Sequence, residues 1–455
     1  MSTDLTTLAL PDGEVVTEPP VLAEYRLNPY TQETAAEGQP VAVVFATSVA
    51  DVQATLQFAT THHIPVVTQG ARTSIANGAA GLDGSILLNL SRLNHIVALQ
   101  PENQTAVVEA GVLNGDLDQA AREVGYFYAP DPGSKPISTI GGNIATNAGG
   151  MASLKYGTTR ENVLGLKVVL ADGRLLELGG ATFKNNASYD LTDLFIGSEG
   201  TLGVVVEATV RLRPIPFGDT VTGLATFSDV HALTHAVQVL QASGVNPSML
   251  EVLNRVSIEA LDEYEGIDLG GRGEQALLIF QLDVAVAGAL DLVDDLLRKA
   301  GAQTIDVTSD PARTATIIKI RQDIFAAGAQ YGRLIVEDIA VPLGQLAIVA
   351  DQAEAIAAKH GQRLLLLGHA GDGNLHPDII LESKDGALPA ETQAYIDELL
   401  PFVISIGGTV SAEHGIGTIK KKWVPQQLSP AVQTLQQQIK AVFDPTGILN
   451  HGRKF

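Results

Sequence analysis

RLLLLGHAGDGNLHP, residues 363–377, begins as an apolar run and then sets His369 and His376 seven residues apart among glycines at 368, 371 and 373. Glycine costs a helix about 1 kcal/mol relative to alanine, so three so close together argue against one. The segment reads instead as a buried strand that turns sharply and comes back, which brings both imidazoles to one point. Converging imidazoles can share a metal ion. Further along, GGTVSAEHGIG (407–417) offers Glu413 as a third donor, beside His414. Two histidines and a carboxylate suit zinc, and they equally suit a non-haem iron(II) site. The other reading is that both histidines are ordinary hydrogen-bonded loop residues, and it is the one given to His62, His63, His95, His231, His235, His360 and His451.

Three more glycine-rich stretches lie upstream: QGARTSIANGAAG (69–81), DPGSKPISTIGGNIATNAGGM (131–151) and GSEGTLG (197–203). None is a GxxxxGK[ST] phosphate loop, and none follows the strand–GxGxxG–helix order of a dinucleotide fingerprint. All three expose many backbone N–H groups where side chains are small, which suits a large ligand bearing phosphates.

Bulk composition narrows the field. The 455 residues include 29 basic and 51 acidic ones, a formal charge of −22. Such a chain is a poor ligand for nucleic acid or anionic lipid, whose affinity comes from lysine and arginine. With no cysteine there is no disulfide, thiolate nucleophile or cysteine-ligated cluster on this chain. MSTDLTTLALPDGEVV at the N-terminus lacks the basic and apolar regions of a signal peptide, and no apolar run reaches about 18 residues. A cytoplasmic location is the expectation.

Along the chain, residues 1–39 read as an arm with a short helix near 21–25. VAVVF (41–45), a helix over 49–62 capped by Ser48, and IPVV (64–67) form a βαβ unit. Strands follow at 85–90, 95–99, 105–111, 164–178 (a hairpin turning at Asp172-Gly173) and 204–214, with a helix over 114–124. Pro214 and Pro216 mark a boundary. Beyond it come strands at 221–227, 248–253, 276–283, 334–341 and 363–367. Helices are expected at 229–243, 286–300, 312–328, 343–360 and 391–406, in ferredoxin-like βαβ pieces on an antiparallel sheet.

VVTQGARTSIANG, DPGSKPISTIGGNIATNAGGMASLKYG, GSEGTLGVV, GHAGDGNLHP, SAEHGIG and DPTGILNHGRK occur in this order. Together they closely resemble the FAD-linked D-2-hydroxy acid dehydrogenases and oxidases of the vanillyl-alcohol oxidase superfamily, which include D-lactate dehydrogenases and the flavin subunit of glycolate oxidase. The resemblance implies an α+β fold in which a vanillyl-alcohol oxidase-type FAD-binding domain with its arm (1–216) meets a ferredoxin-like substrate or cap domain (217–419). A C-terminal segment (420–455) would return to the FAD side. It further implies noncovalent FAD held by Gly70, Ala71, Arg72, Thr73 and Ser74 at the pyrophosphate, and by Pro132, Gly133 and Ser134 near the flavin. Gly141, Gly142, Asn143, Ala145, Thr146 and Asn147 would lie along the cofactor, Glu199, Thr201, Gly203 and Val204 toward its adenine or ribose end, and Asn450 near the ring. Ala71, Arg72 and Asn77 stand where the family has more glycine, and His451 where it has proline.

The chemistry implied is oxidation of a 2-hydroxy acid to the 2-oxo acid, with hydride passing to flavin N5. A divalent metal on His369, His376 and Glu413 (zinc first, manganese or iron fitting the same donors) would acidify the hydroxyl. His414 would take its proton, Arg321 would pair with the carboxylate ahead of Lys319 and Arg333, and Asn374 would hold an oxygen. In LIVEDIAVP (334–342), Val336 stands near the lysine of relatives that oxidise D-2-hydroxyglutarate, and Glu337 and Asp338 follow. That favours D-lactate, glycolate or another monocarboxylate. An electron acceptor is required, whether quinone, cytochrome, electron-transfer flavoprotein or oxygen, and a homo-oligomer or partner subunit is compatible. The rival readings are a metal hydrolase on the same donors, a non-haem iron oxygenase, a flavin-binding companion subunit without catalysis, and D-2-hydroxyglutarate oxidation within the family.

Overall fold

The computed structural model describes residues 5–30, 38–269, 276–285, 288–382 and 386–454. The expected arm over 1–39 and helix over 286–300 fall partly outside them. The first sheet has the order β1-β2-β4-β3, from β1 (Glu14–Val16), β2 (Ala42–Phe45), β3 (Val66–Gln69) and β4 (Ile86–Asn89). β2, β4 and β3 run parallel, and their apolar sequences are buried on both faces. Helix α1 (Val49–His62) makes the crossover from β2 and leaves one slot for β4.

Ser48 caps α1 through a reciprocal pair with Asp51, as expected. Asp51 does more than close the cap. It is fully buried, and its carboxylate also receives the backbone N–H groups of Asp12 and Gly13 at 3.0 Å and of Thr47 at 3.0 Å. One side chain therefore fastens the N-terminal strand region onto the first sheet.

A second, antiparallel sheet has the order β5-β6-β9-β7-β8, from β5 (Ile96–Gln100), β6 (Thr105–Glu109), β7 (Val163–Val169), β8 (Leu175–Gly179) and β9 (Val204–Arg211). The stretch 131–151, read as loop, contains a short helix, α2 (Ile140–Thr146), capped by Thr139. Its glycines serve approach rather than flexibility: a Cβ on Gly141 would sit 2.7 Å from the Ala110 Cβ.

The third sheet begins past residue 218. Its strands are β10 (Asp219–Phe227), β11 (Met249–Asn254), β12 (Ala276–Ala285), β13 (Thr304–Thr308), β14 (Arg333–Ile335), β15 (Arg363–His369) and β16 (Asn374–Leu381), with a short strand at Ile339–Ala340. The order is β13-β10-β12-β11-β15-β16-β14, and every pair is antiparallel. The first four strands, in chain order 4-1-3-2, form one ferredoxin-like unit, and β14, β15 and β16 form part of a second, joined edge to edge. Two expected elements are broken. The helix over 312–328 divides at Asp323 into α3 (Pro311–Gln322) and a second helix, Ile324–Ala329. The strand over 334–341 divides around 336–338, which frees Asp338 to turn toward the site. A helix at Arg255–Glu265 was not expected at all.

Helix α4 (Pro430–Phe443) leads the chain back to the first sheet, where Ile448 and Leu449 share its core. Among the described residues no helix is long and apolar enough to cross a membrane.

Burial works against the charge on Asp51, but its backbone donors outweigh this and hold its pKa below the ordinary aspartate value. Its stabilisation is therefore full above that ordinary value and is lost as pH falls through the lowered one. Asp51→Ala is expected to cost about 2 kcal/mol near pH 7. In denaturant titrations the gap to wild type should narrow as pH falls below the ordinary aspartate value.

Candidate active site

The hairpin of β15 and β16 sets His369 opposite Asn374, and Leu367 opposite His376. Residues facing each other across a ladder share a face, so both imidazoles project to the same side. Glu413 comes from the far C-terminal side on a turn held in place when Thr409 pairs with Ala340. Its Oε1 lies 3.4 Å from Nε2 of each imidazole. The three donor atoms fall within 4.8 Å of one another.

The opposite ring nitrogens are already committed. Nδ1 of His369 lies 2.6 Å from Glu251 Oε1, and Nδ1 of His376 lies 3.2 Å from the Glu337 carbonyl. A hydrogen on each Nδ1 leaves each Nε2 lone pair facing Glu413, the arrangement of metal-binding histidines. Burial opposes charge throughout, yet Glu251 and Glu413 push His369 well up, and the two imidazoles hold Glu413 well down. Such a cluster calls for positive charge, and a divalent cation between neutral imidazoles and carboxylate supplies it. A second grouping, Asp338, His376 and His414, is also close together. It is the poorer site, because Asp338 Oδ2 is saturated by Ser411 Oγ (2.9 Å) and the N–H groups of Ala412 (2.8 Å), Glu413 (2.9 Å) and His414 (2.9 Å).

Those four bonds fix the turn from the cap side. From the other side Glu199, at φ +54°, accepts the N–H groups of Ile416 (2.9 Å) and Gly417 (2.7 Å). Gly149 admits the Glu413 side chain, since a Cβ there would come within 2.4 Å of Oε2. Asp338, Gly149 and Glu251 were missed as site residues. The only signal was the paired glycine of NAGGM and the acids placed within apolar strands.

The donors open onto a cavity of about 1410 Å³, larger than the roughly 300–1,000 Å³ of ordinary small-molecule pockets. Every expected cofactor residue lines it except Asn147 and Thr201. Asn147 instead accepts from Thr158 and the Arg160 N–H, and Thr201 turns its hydroxyl to the Ser198 carbonyl, so both shape the walls from behind. Thr68 Oγ1, Gln69 Oε1 and the Tyr128 hydroxyl line the cavity and are buried without hydrogen-bond partners among the described residues. A polar cofactor with phosphates and a flavin fits such a cradle. Asn450 closes it, accepting the Thr68 N–H at 2.9 Å and donating to the Glu199 carbonyl at 2.6 Å.

Other side chains depart from expectation. Arg72, at φ +58°, lines the cavity but commits its guanidinium to the Glu24 carbonyl at 2.8 Å and to the face of the Tyr25 ring. Both amide hydrogens of Asn374 are taken, by Asp338 Oδ1 at 2.9 Å and the Ile339 carbonyl at 2.8 Å, and Asn374 does not line the cavity. Arg321 does line it, with Nε on Glu251 at 2.7 Å. Arg333, Leu334 and Val336 line it, whereas Glu337 and Asp338 do not. His451 is exposed and outside the cavity. Lys319 is an exposed partner of Glu265 and Asp323.

Fold, cradle and donor cluster together define a flavin oxidoreductase. Residues 40–179 match the family described as FAD binding domain, and residues 218–453 match FAD linked oxidases, C-terminal domain. The chain is similar to the glycolate oxidase subunit GlcD of Bacillus subtilis, 34% identical over 92% of this chain and 90% of that one. It is 31% identical to a D-lactate dehydrogenase of Anaerostipes hadrus over 92% and 90% of the two chains. With a D-2-hydroxyglutarate dehydrogenase of Stutzerimonas stutzeri it shares 33% over 99% and 98%. The fold matches that of p-cresol methylhydroxylase with substrate bound, at a TM-score of 0.78 and 20% identity over 96% and 93%. The chain belongs to the FAD-linked oxidase family, with a vanillyl-alcohol oxidase-type fold. It is an FAD-linked oxidoreductase.

Asp338→Asn sets an amide where only an acceptor suits four donors. The variant should stay yellow with FAD yet bind divalent metal about 10- to 100-fold more weakly, as read by flavin absorbance and by metal analysis after dialysis.

Proposed function

We propose that the enzyme oxidises a small D-2-hydroxy acid, D-lactate or glycolate, to the 2-oxo acid. The observation that carries this is the meeting of the His369–His376–Glu413 cluster with Arg321 at the wall of the cofactor cavity. FAD, bound noncovalently, supplies the hydride acceptor, and a divalent cation, zinc in our reading, supplies Lewis acidity toward the substrate hydroxyl.

The chain's own groups do the rest. Arg321 keeps the outer edge of its guanidinium for the substrate carboxylate, since Nε alone is used by Glu251. His414 accepts the hydroxyl proton at Nε2, which lies on the Glu413 side, 3.7 Å from Oε1. Its Nδ1 lies 4.0 Å from Asp338, whose charge favours the tautomer with the hydrogen there. Burial lowers the His414 pKa, which keeps the ring in its basic form. Asn374 acts through Asp338 rather than on substrate. The division into residues 1–216 for FAD, 217–419 for substrate and 420–455 returning to the FAD side accords with the change of sheet after β9 and with the bridge between Val66 and Leu449.

Val336 at the cavity wall supports a monocarboxylate, as does Lys420, whose Nζ is occupied by the Asp338 and Val410 carbonyls at 2.7 Å. A D-2-hydroxy dicarboxylate is the second reading, favoured by Arg333 at the same cavity and by the D-2-hydroxyglutarate relative.

Anaerobic D-lactate or glycolate should bleach the flavin of the purified protein, and L-lactate should not; bleaching by L-lactate alone refutes the handedness, and bleaching by D-2-hydroxyglutarate alone selects the second reading. Chelation should stop bleaching but leave the oxidised spectrum.

His414→Ala should slow flavin reduction about 100-fold or more in stopped-flow measurements. A rate equal to wild type removes its role as base.

A further inference from the structure

Glu251 lies in the middle of β11, directly opposite His369 in register, and is fully buried. Its two oxygens have different partners. Oε1 meets Nδ1 of His369 at 2.6 Å, and Oε2 meets Nε of Arg321 at 2.7 Å. Arg321 reaches it from α3, whose Ile317 and Ile320 pack on the same sheet face as Leu253 and Leu367. Nothing in hydrophobic packing asks for an acid here: the neighbours on the same face of β11, Met249 and Leu253, are apolar core residues.

We propose that Glu251 is a positioning residue that couples the metal site to substrate-carboxylate recognition, by orienting His369 and Arg321 with one rigid group. This rests on the metal and carboxylate roles given above to His369 and Arg321. A hydrogen held on Nδ1 of His369 presents Nε2 to the cation. The bond at Nε of Arg321 fixes the plane of its guanidinium relative to His369, and so to the cation that His369 would hold. A 2-hydroxy acid carries its hydroxyl and carboxylate on neighbouring carbons, so the spacing between cation and guanidinium has to match that short span. A shared carboxylate sets this spacing without a loop between the two groups. Glutamine cannot replace it, because both partners are donors and the amide offers only one oxygen.

The test uses FAD-loaded wild type, Glu251→Gln and Arg321→Gln. Zn²⁺ affinity is measured by chelator competition, and binding of oxamate, a carboxylate that cannot be oxidised here, by flavin spectral perturbation at saturating Zn²⁺. Glu251→Gln should weaken Zn²⁺ about 10- to 100-fold and weaken oxamate at least about tenfold as well. Arg321→Gln should weaken oxamate while leaving Zn²⁺ within about threefold of wild type. Folding is checked by FAD stoichiometry and thermal midpoint. If Glu251→Gln does not fold, Glu251→Asp, which keeps the charge but is too short to reach both partners, takes its place with the same losses expected. Unchanged Zn²⁺ affinity in a folded variant overturns the proposal, as does loss of Zn²⁺ binding with oxamate binding intact. The Zn²⁺ measurement involves no hydroxy acid, so a wrong substrate leaves it readable. A wild-type protein that takes up no Zn²⁺ defeats the metal reading itself.

Discussion

The arrangement depends on one buried carboxylate. Asp338 accepts four hydrogen bonds on a single oxygen from residues 411–414, and a fifth on the other from Asn374. It sits in the break between two short strands, where the chain leaves the ladder and points an acid at a loop. An aspartate so deep is tolerated because its charge is spread over oriented donors and the Lys420 ammonium lies close by. The backbone that carries Glu413 and His414 is therefore fixed before any ligand arrives.

From that anchor the site is built by convergence. The imidazoles stand on a hairpin of the cap sheet, the carboxylate on a turn, and the opening that receives it is Gly149 on the flavin side. Glu199, counted among the cofactor contacts, spends its side chain on the same turn through Ile416 and Gly417. The turn is thus suspended between two acids, Glu199 from the turn before β9 and Asp338 from the break in the third sheet. The His369–His376–Glu413 cluster and the cofactor cradle share a wall as a result.

Much of this was legible in residue order. The glycines of 368–373 required a turn, and period-2 pairing then put both histidines on one face. Ser48 announced α1, and the alternation beyond Pro216 announced the ferredoxin-like sheet. Other features left no local trace. A helix with glycines at its second and third positions, α2, looks like loop until Ala110 and Thr139 are seen packed against it. Glu251 and Asp338 resemble chance polar residues in apolar stretches, because the partners of their carboxylates lie as far as 118 and 76 positions away. Arg72 could equally have met a phosphate or pointed outward, and only the fold shows Tyr25 beneath it. Asn147 and Thr201 have the right composition for a cofactor loop, but their side chains point into the wall.

The tie made by Asn450 also bears on biogenesis. It joins Thr68 to Glu199 and lies 382 positions from the first of them. A ribosome must therefore produce the entire cap before the cradle can be closed. Until then the Thr68 N–H and the Glu199 carbonyl lack the partner that Asn450 gives them. Long-range closure of this kind is slow, so newly made chains should acquire their yellow colour late, after the cap has found its seat.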